Sequence, residues 1–245
     1  MPAEESPDAA GELRVHLLGP FRASRDGQPV PLPRGSSRVL AYVALHGTAS
    51  RGEVAANLWP EAAPARASSD LRTAIWRLQS ADVGFLHSEG QTLALCAAVA
   101  VDVNQVAEWA MAVLAAPPAP FDPPPVPPGS ERELLPGWDE EWLDHHRERA
   151  RLLTVQAFES AGERLLANGR TAEALPYLLR VTQLDPFRES AQQLLLQLHL
   201  RQGNVHQALR QYRRYRDLVR RDLGMEPGSA LRALLSGYLP DLPGD

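Results

Sequence analysis

The chain contains no lysine. All 25 of its basic residues are arginine, so every side-chain cation other than histidine is a planar guanidinium fork, suited to carboxylate, phosphate and guanine edges. Cys96 is its single cysteine. That excludes an intramolecular disulfide and any cysteine-built zinc site, and points to a reducing interior. Cys96 itself reads as a small buried apolar residue on a wing strand rather than a nucleophile. No apolar run approaches the ~18 residues of a membrane span. Residues 1–12 are acidic and polar, without the apolar core of a signal peptide. A cytoplasmic protein with no membrane partner is expected. Also missing are a G-x-S-x-G elbow, a Walker A loop and a dinucleotide fingerprint. Arg34-Gly35-Ser36-Ser37 lacks the glycine spacing and the lysine of a phosphate loop. No catalytic residues and no cofactor are expected, so the chain reads as a non-enzyme. Asp139, Glu140, Glu141, Asp144, His145 and His146 superficially suggest a metal site. Adjacent histidines diverge by about 100° on a helix, so no metal ligands are assigned.

What is present is ordinary globular material: 245 residues, 44% hydrophobic and 22% charged, with a net charge of −5. This is enough for about two domains. The charge is uneven. Leu13 to Val101 holds nine arginines against six acids, whereas Gly129 to Asp245 holds sixteen against seventeen. The amino-terminal half is weakly basic, a balance that permits nucleic-acid binding.

Leu13-Arg14-Val15-His16-Leu17 alternates with period two, and Asp26-Gly27 supplies a turn before Pro29-Val30-Pro31-Leu32. Short antiparallel strands are predicted. Ser36 or Ser37 is positioned to cap a helix carrying Val39, Leu40, Val43 and Ala44, with Gly47 ending it. Ser50 and Glu53 form a capping box for a helix that Pro60 stops. Pro64 to Gln79 then reads as one amphipathic helix. Ala67, Leu71, Ala74, Ile75 and Leu78 share one face; Arg66, Ser69, Arg72, Thr73 and Trp76 share the other, with Arg77 at its margin. Phe85 to Ser88 and Thr92 to Cys96 flank Glu89-Gly90-Gln91 as a hairpin. Strands, helices with a polar-faced last member, and a hairpin follow the order of a winged helix, and the polar-faced helix is read as a DNA recognition helix. Arg72, Thr73, Trp76 and Arg77 are the candidate base readers, beside Arg66 and Ser69, with Arg34, Arg38 and Arg51 as backbone clamps. Trp76 reads either as a DNA contact or as core against the preceding helix.

Asp102 to Ala115 reads as a short helix. Pro117 to Pro128 contains eight prolines, which forbid helix or sheet and favour an extended spacer over an SH3-type ligand. Beyond it the chain is helical. Asn168-Gly169-Arg170-Thr171-Ala172-Glu173-Ala174-Leu175 recurs as Gln202-Gly203-Asn204-Val205-His206-Gln207-Ala208-Leu209, 34 residues apart. That is the tetratricopeptide period, with Leu194, Leu195 and Leu198 supplying a buried stripe. Stacked helix pairs of this kind present a groove to a protein or peptide. Arg210, Arg213, Arg214, Arg216, Arg220 and Arg221, diluted by Asp217 and Asp222, read as a solvated helix face.

Leu17-Leu18-Gly19-Pro20-Phe21, Asp26-Gly27, Leu40 to His46, Leu58-Trp59-Pro60, and Leu71-Arg72 through Arg77-Leu78 resemble the DNA-binding domain of bacterial activators of the antibiotic-regulatory (SARP) type, which is similar to OmpR-like winged helices. Pro136-Gly137-Trp138 with Trp142 and Arg147, Asp185-Pro186-Phe187-Arg188-Glu189, Ala208-Leu209 with Tyr212, and Asp222 to Pro227 resemble the bacterial transcriptional activator domain. The fold class expected is mainly α: an OmpR-like winged helix with a small antiparallel sheet and wing over 13–101, a short helix and proline-rich linker over 102–128, and a tetratricopeptide-like helical domain over 129–240. The resemblance implies a third helix in the major groove of double-stranded DNA, homodimers on direct repeats, and contact with RNA polymerase holoenzyme. The chain departs from the family at Gln79, where arginine is common, and in its uncharged-to-acidic wing tip. The alternative reading is a protein-interaction adaptor whose winged helix no longer binds DNA and whose repeat groove holds a partner peptide.

Overall fold

The computed structural model describes residues 12–80, 84–117 and 120–238. Its contacts group into two compact units, one of Met1–Val106 with Pro127–Ala150, the other of Ala107–Val126 with Arg151–Asp245. These units cut across the sequence boundaries at 101 and 128, for reasons that lie in residues 117–150.

In the first unit, β1 (Leu13–His16) buries Leu13 and Val15 and leaves Arg14 and His16 partly exposed, as its alternation requires. It pairs antiparallel with β2 (Arg22–Arg25), Leu13 opposite Arg25. Asp26 and Gly27 both take positive φ, 51° and 75°, the geometry of a tight two-residue hairpin turn. β3 is only Gln28–Pro29, shorter than the predicted Pro29–Leu32 segment, because Pro31 and Pro33 have no N–H to extend a ladder. The sheet is not purely antiparallel. A strand that the pattern did not reveal, β7 (Val99–Val101), runs parallel to β1 on its other edge. Asp102 follows at once; its carboxylate accepts from the backbone N–H of Leu17 at 2.8 Å and of Leu18 at 3.1 Å, joining the end of β1 to the start of α4 (Asp102–Ala115).

α1 (Arg34–His46) begins before the serines predicted to cap it. Pro33 stands at the N-cap, and Ser36 and Ser37 lie buried in the first turns. Proline's fixed φ suits a helix start, which frees both hydroxyls for carbonyls: Ser36 donates to Ala74 and Ser37 to Leu32 and Pro33. β4 (Ala49–Ser50) precedes α2 (Arg51–Leu58), whose capping box forms as predicted. The Ser50 backbone N–H, followed by its side chain, holds the Glu53 carboxyl below its usual range. α3 spans Pro64–Ser80, and β5 (Leu86–Glu89) and β6 (Thr92–Leu95) make the wing, with β4 as its third strand. Cys96 lies one residue beyond β6 and is half-buried, its N–H bonded to the Phe85 carbonyl.

The predicted repeat is present as α5 (Glu141–Ala167), α6 (Thr171–Leu184), α7 (Glu189–Arg201) and α8 (Val205–Leu223), closed by α9 (Ser229–Ala233). The two copies turn in the same way. Gly169 and Gly203 sit at φ of 75° and 70°; Arg170 N–H bonds to Leu165 O and Asn204 N–H to His199 O. This six-to-one closure is a Schellman end. Within the first pair, Gly162 lets α6 approach: a Cβ there would stand 2.6 Å from Leu178 Cδ2.

The proline-rich stretch is irregular, as predicted, but it is no free spacer. Phe121 is buried, its carbonyl accepts from Arg170 at 2.8 Å, and the Pro124 carbonyl accepts from the Trp109 indole at 3.1 Å. Residues 120–126 are thus strapped along the helical unit; Pro118 and Ala119 fall outside the described residues. Among the described residues no helix is long and apolar enough to cross a membrane.

Candidate nucleic-acid interface

α3 is fixed from its apolar side. Ala67, Leu71, Ala74, Ile75 and Leu78 are all buried, and the Ser36 hydroxyl takes the Ala74 carbonyl at 3.0 Å. The opposite face is open. Arg66, Ser69, Arg72, Thr73, Trp76 and Arg77 are all exposed, so every α3 residue singled out by helical spacing shares one accessible surface. The two readings of Trp76 separate here: it is 65% exposed and is not core. It is the one large apolar side chain of α3 that is exposed.

Their hydrogen-bonding states differ. Arg66 forms an i,i+4 ion pair with Asp70 at 3.2 Å. The Thr73 hydroxyl donates to the Ser69 carbonyl at 3.0 Å, leaving its lone pairs for an incoming donor. Arg72 and Arg77 have no ion-pair partner among the described residues. Asp70 is engaged by Arg66, and among the described residues neither guanidinium makes a hydrogen bond.

The three expected clamps diverge. Arg34, at the first position of α1, is exposed. Arg51 is directed to the wing: Nη2 donates to the Ser88 hydroxyl at 2.7 Å and its backbone N–H to Gln91 O at 2.8 Å. Arg38 is turned inward. Nη2 donates to Glu140 at 2.7 Å and also to the Leu58 carbonyl, and the guanidinium stands 5.6 Å from the Trp59 ring. Its side chain is 17% exposed and that of Glu140 only 7%. A guanidinium already neutralised in this way has no free charge for a phosphate, so Arg38 leaves the clamp set. Its partner is 102 residues away, and no local pattern announces it. The wing tip stays electrically weak, with Glu89 exposed and His87 3.9 Å from its carboxylate.

Residues 129–150 complete this unit. Leu135 N–H bonds to Leu17 O and Gly19 N–H to Glu133 O, both at 2.8 Å. Arg147 then gathers the carbonyls of Leu134, Leu135 and Trp138, and Trp138 packs against Phe21 with centroids 5.8 Å apart.

Residues 129–237 match the family described as bacterial transcriptional activator domain. Over 254 aligned residues the chain is 32% identical to the regulatory protein AfsR of Streptomyces coelicolor, covering 95% of this chain and 24% of the relative. The chain is similar along nearly its whole length to a SARP-type bacterial regulator, and residues 129–237 carry the activator domain. AfsR of Streptomyces griseus is 29% identical, covering 93% of this chain and again 24% of the relative; the chain spans about a quarter of the length of both. A solved structure of Mycobacterium tuberculosis EmbR in complex with a low-affinity phosphopeptide has the same fold, with a TM-score of 0.68 at 22% identity, covering 96% of this chain and 67% of that one. Both the family and the relatives are described as regulatory.

SARP-type landmarks now have structural reasons. In Asp222 to Pro227, Gly224 is the left-handed cap of α8, Glu226 pairs with Arg220, and Pro227 is buried. Gly228 N–H then bonds to Glu189, whose Oε1 would stand 2.2 Å from a Cβ at that glycine. Tyr215 donates to the Phe187 carbonyl and Glu189; burial, then the Glu189 charge, pushes its phenol up to about 12. The α8 arginines divide: Arg216, Arg220 and Arg221 are paired with acids, while Arg210, Arg213 and Arg214 are exposed.

Proposed function

We propose that this SARP-type regulator binds a specific DNA sequence through α3 and activates transcription from a nearby promoter. The observation that carries the reading is the open α3 face, where Arg72 and Arg77 have no acidic partner among the described residues and stand beside an indole 65% exposed. α3 lies in the major groove of double-stranded DNA, its arginines reading guanine edges and Trp76 packing on a thymine methyl or a sugar. Arg34, and Arg51 by way of the wing, meet the backbone. The protein acts in the cytoplasm as a homodimer on directly repeated half-sites, and the helical domain touches RNA polymerase holoenzyme, as the family resemblance implies.

The test is recovery and sequencing of genomic fragments bound by the purified chain, then titration of the enriched site. Arg72→Ala and Arg77→Ala should each weaken the specific complex by about 1–3 kcal/mol and relax preference at one base position. Unchanged affinity and unchanged preference in both variants sink the assignment. The exposed Glu89 at the wing tip favours a second reading, an adaptor that has left DNA and holds a peptide in its repeat groove. In that case no fragment is enriched, and binding to the peptide partner varies little with salt.

A further inference from the structure

Away from the α3 face, the first compact unit carries a cleft of about 590 Å³. It lies where the start of β2, the segment from β3 into α1, and residues 136–138 meet. A volume of this size is that of a small-molecule site, which is typically apolar with a few polar groups.

Prolines keep the cleft from closing. Val30 N–H bonds to Ala23 O at 2.8 Å, but Pro31 and Pro33 have no N–H with which to continue that pairing toward α1. Gly137 takes a φ of 77°, and the turn it makes lays Trp138 on Phe21, the rings tilted by 33° with centroids 5.8 Å apart. Phe21, Val30, Leu32 and Trp138 are partly buried against the core of the unit, so each turns some apolar surface outward.

The polar groups of the lining share one sign. Arg22 and Arg34 are exposed and make no hydrogen bond or ion pair among the described residues, and no acidic residue lines the cleft. The indole N–H of Trp138 has no hydrogen-bond partner among the described residues either, whereas those of Trp109 and Trp142 are bonded.

We propose that this cleft binds a small organic acid with an aromatic body. The ring packs on Phe21 and Trp138, and the carboxylate takes charge-assisted hydrogen bonds from the arginines. A cation would meet two guanidiniums of its own sign. A ligand that is all charge would leave the apolar wall unused, and a neutral one would leave the arginines unanswered. The site goes beyond the regulatory reading and does not depend on it.

The probe is 2-naphthoate, titrated into the full-length chain at neutral pH by calorimetry and by NMR of the indole N–H groups, with the Trp138 resonance assigned by its loss in Trp138→Phe. One equivalent should bind with a submillimolar Kd and shift the Trp138 indole N–H most among the five tryptophans. Arg22→Gln and Arg34→Gln combined in one chain should weaken binding by about tenfold or more. Arg51→Gln, on the wing side, should leave it unchanged, circular dichroism reporting the fold throughout. The neutral analogue 2-naphthalenemethanol should bind about tenfold more weakly or worse, and triglutamate, which has charge but no ring, should not displace the probe. The proposal is overturned by absence of binding, by equal affinity for the neutral analogue, by displacement with triglutamate, by binding that survives the double substitution, by equal loss in Arg51→Gln, or by shifts centred on another indole.

Discussion

Arg38 and Arg72 carry the same group into opposite situations, and substitution should separate them. Arg38 is locked to Glu140 and the Leu58 carbonyl. Arg38→Ala takes the cation from a carboxylate whose side chain is only 7% exposed and leaves it the Trp142 indole N–H at 3.1 Å, a loss of about 2–4 kcal/mol readable by urea denaturation. Arg72 is exposed and makes no hydrogen bond or ion pair among the described residues. Arg72→Ala should change stability by less than about 0.5 kcal/mol, while DNA affinity falls as given above. An alanine scan that recorded only DNA binding would score both as contacts; denaturation beside it tells a positioning arginine from a reading one.

At the scale of elements, the wing is where electrostatics leaves most room for change. Its turn offers Glu89-Gly90-Gln91, with Glu89 exposed. Glu89→Arg with Gln91→Arg should strengthen DNA binding at low salt and steepen the dependence of log K on log salt by about 0.9 for each phosphate newly met. An unchanged slope would mean that the wing does not approach the backbone. The elements legible in the sequence were those whose signals are local. The α3 face follows from a 3.6-residue period, the capping box from Ser50 and Glu53, and the repeat from Gly169 and Gly203. β7 escaped because Val99–Val101 is three residues long, too short for a period, and is defined by its pairing with β1, Val99 beside Leu13. Ser36 and Ser37 misled for a related reason: serine favours caps on average, whereas here Pro33 begins the helix and the hydroxyls answer to carbonyls, one of them on α3.

For the whole molecule, composition and the proline run point to two domains divided at 101 and 128, whereas the contacts group into two units with another membership. Leu134, Leu135 and Leu143 are buried in the first unit's core, whereas Phe121 is buried in the second's. A chain cut after Pro128 should therefore lose cooperative unfolding of the amino-terminal unit and expose apolar surface, while one cut after Ala150 should retain that unit's transition; differential scanning calorimetry of the two fragments decides. Residues 107–126 serve the second unit and 127–150 the first, so the two bodies are plaited along the polypeptide. A recombination break anywhere in that interval, proline run included, takes a strand of the plait from one body or the other. Swapping target specificity between regulators of this kind therefore calls for exchange of the α3 surface, because no clean seam exists at which to exchange the domain.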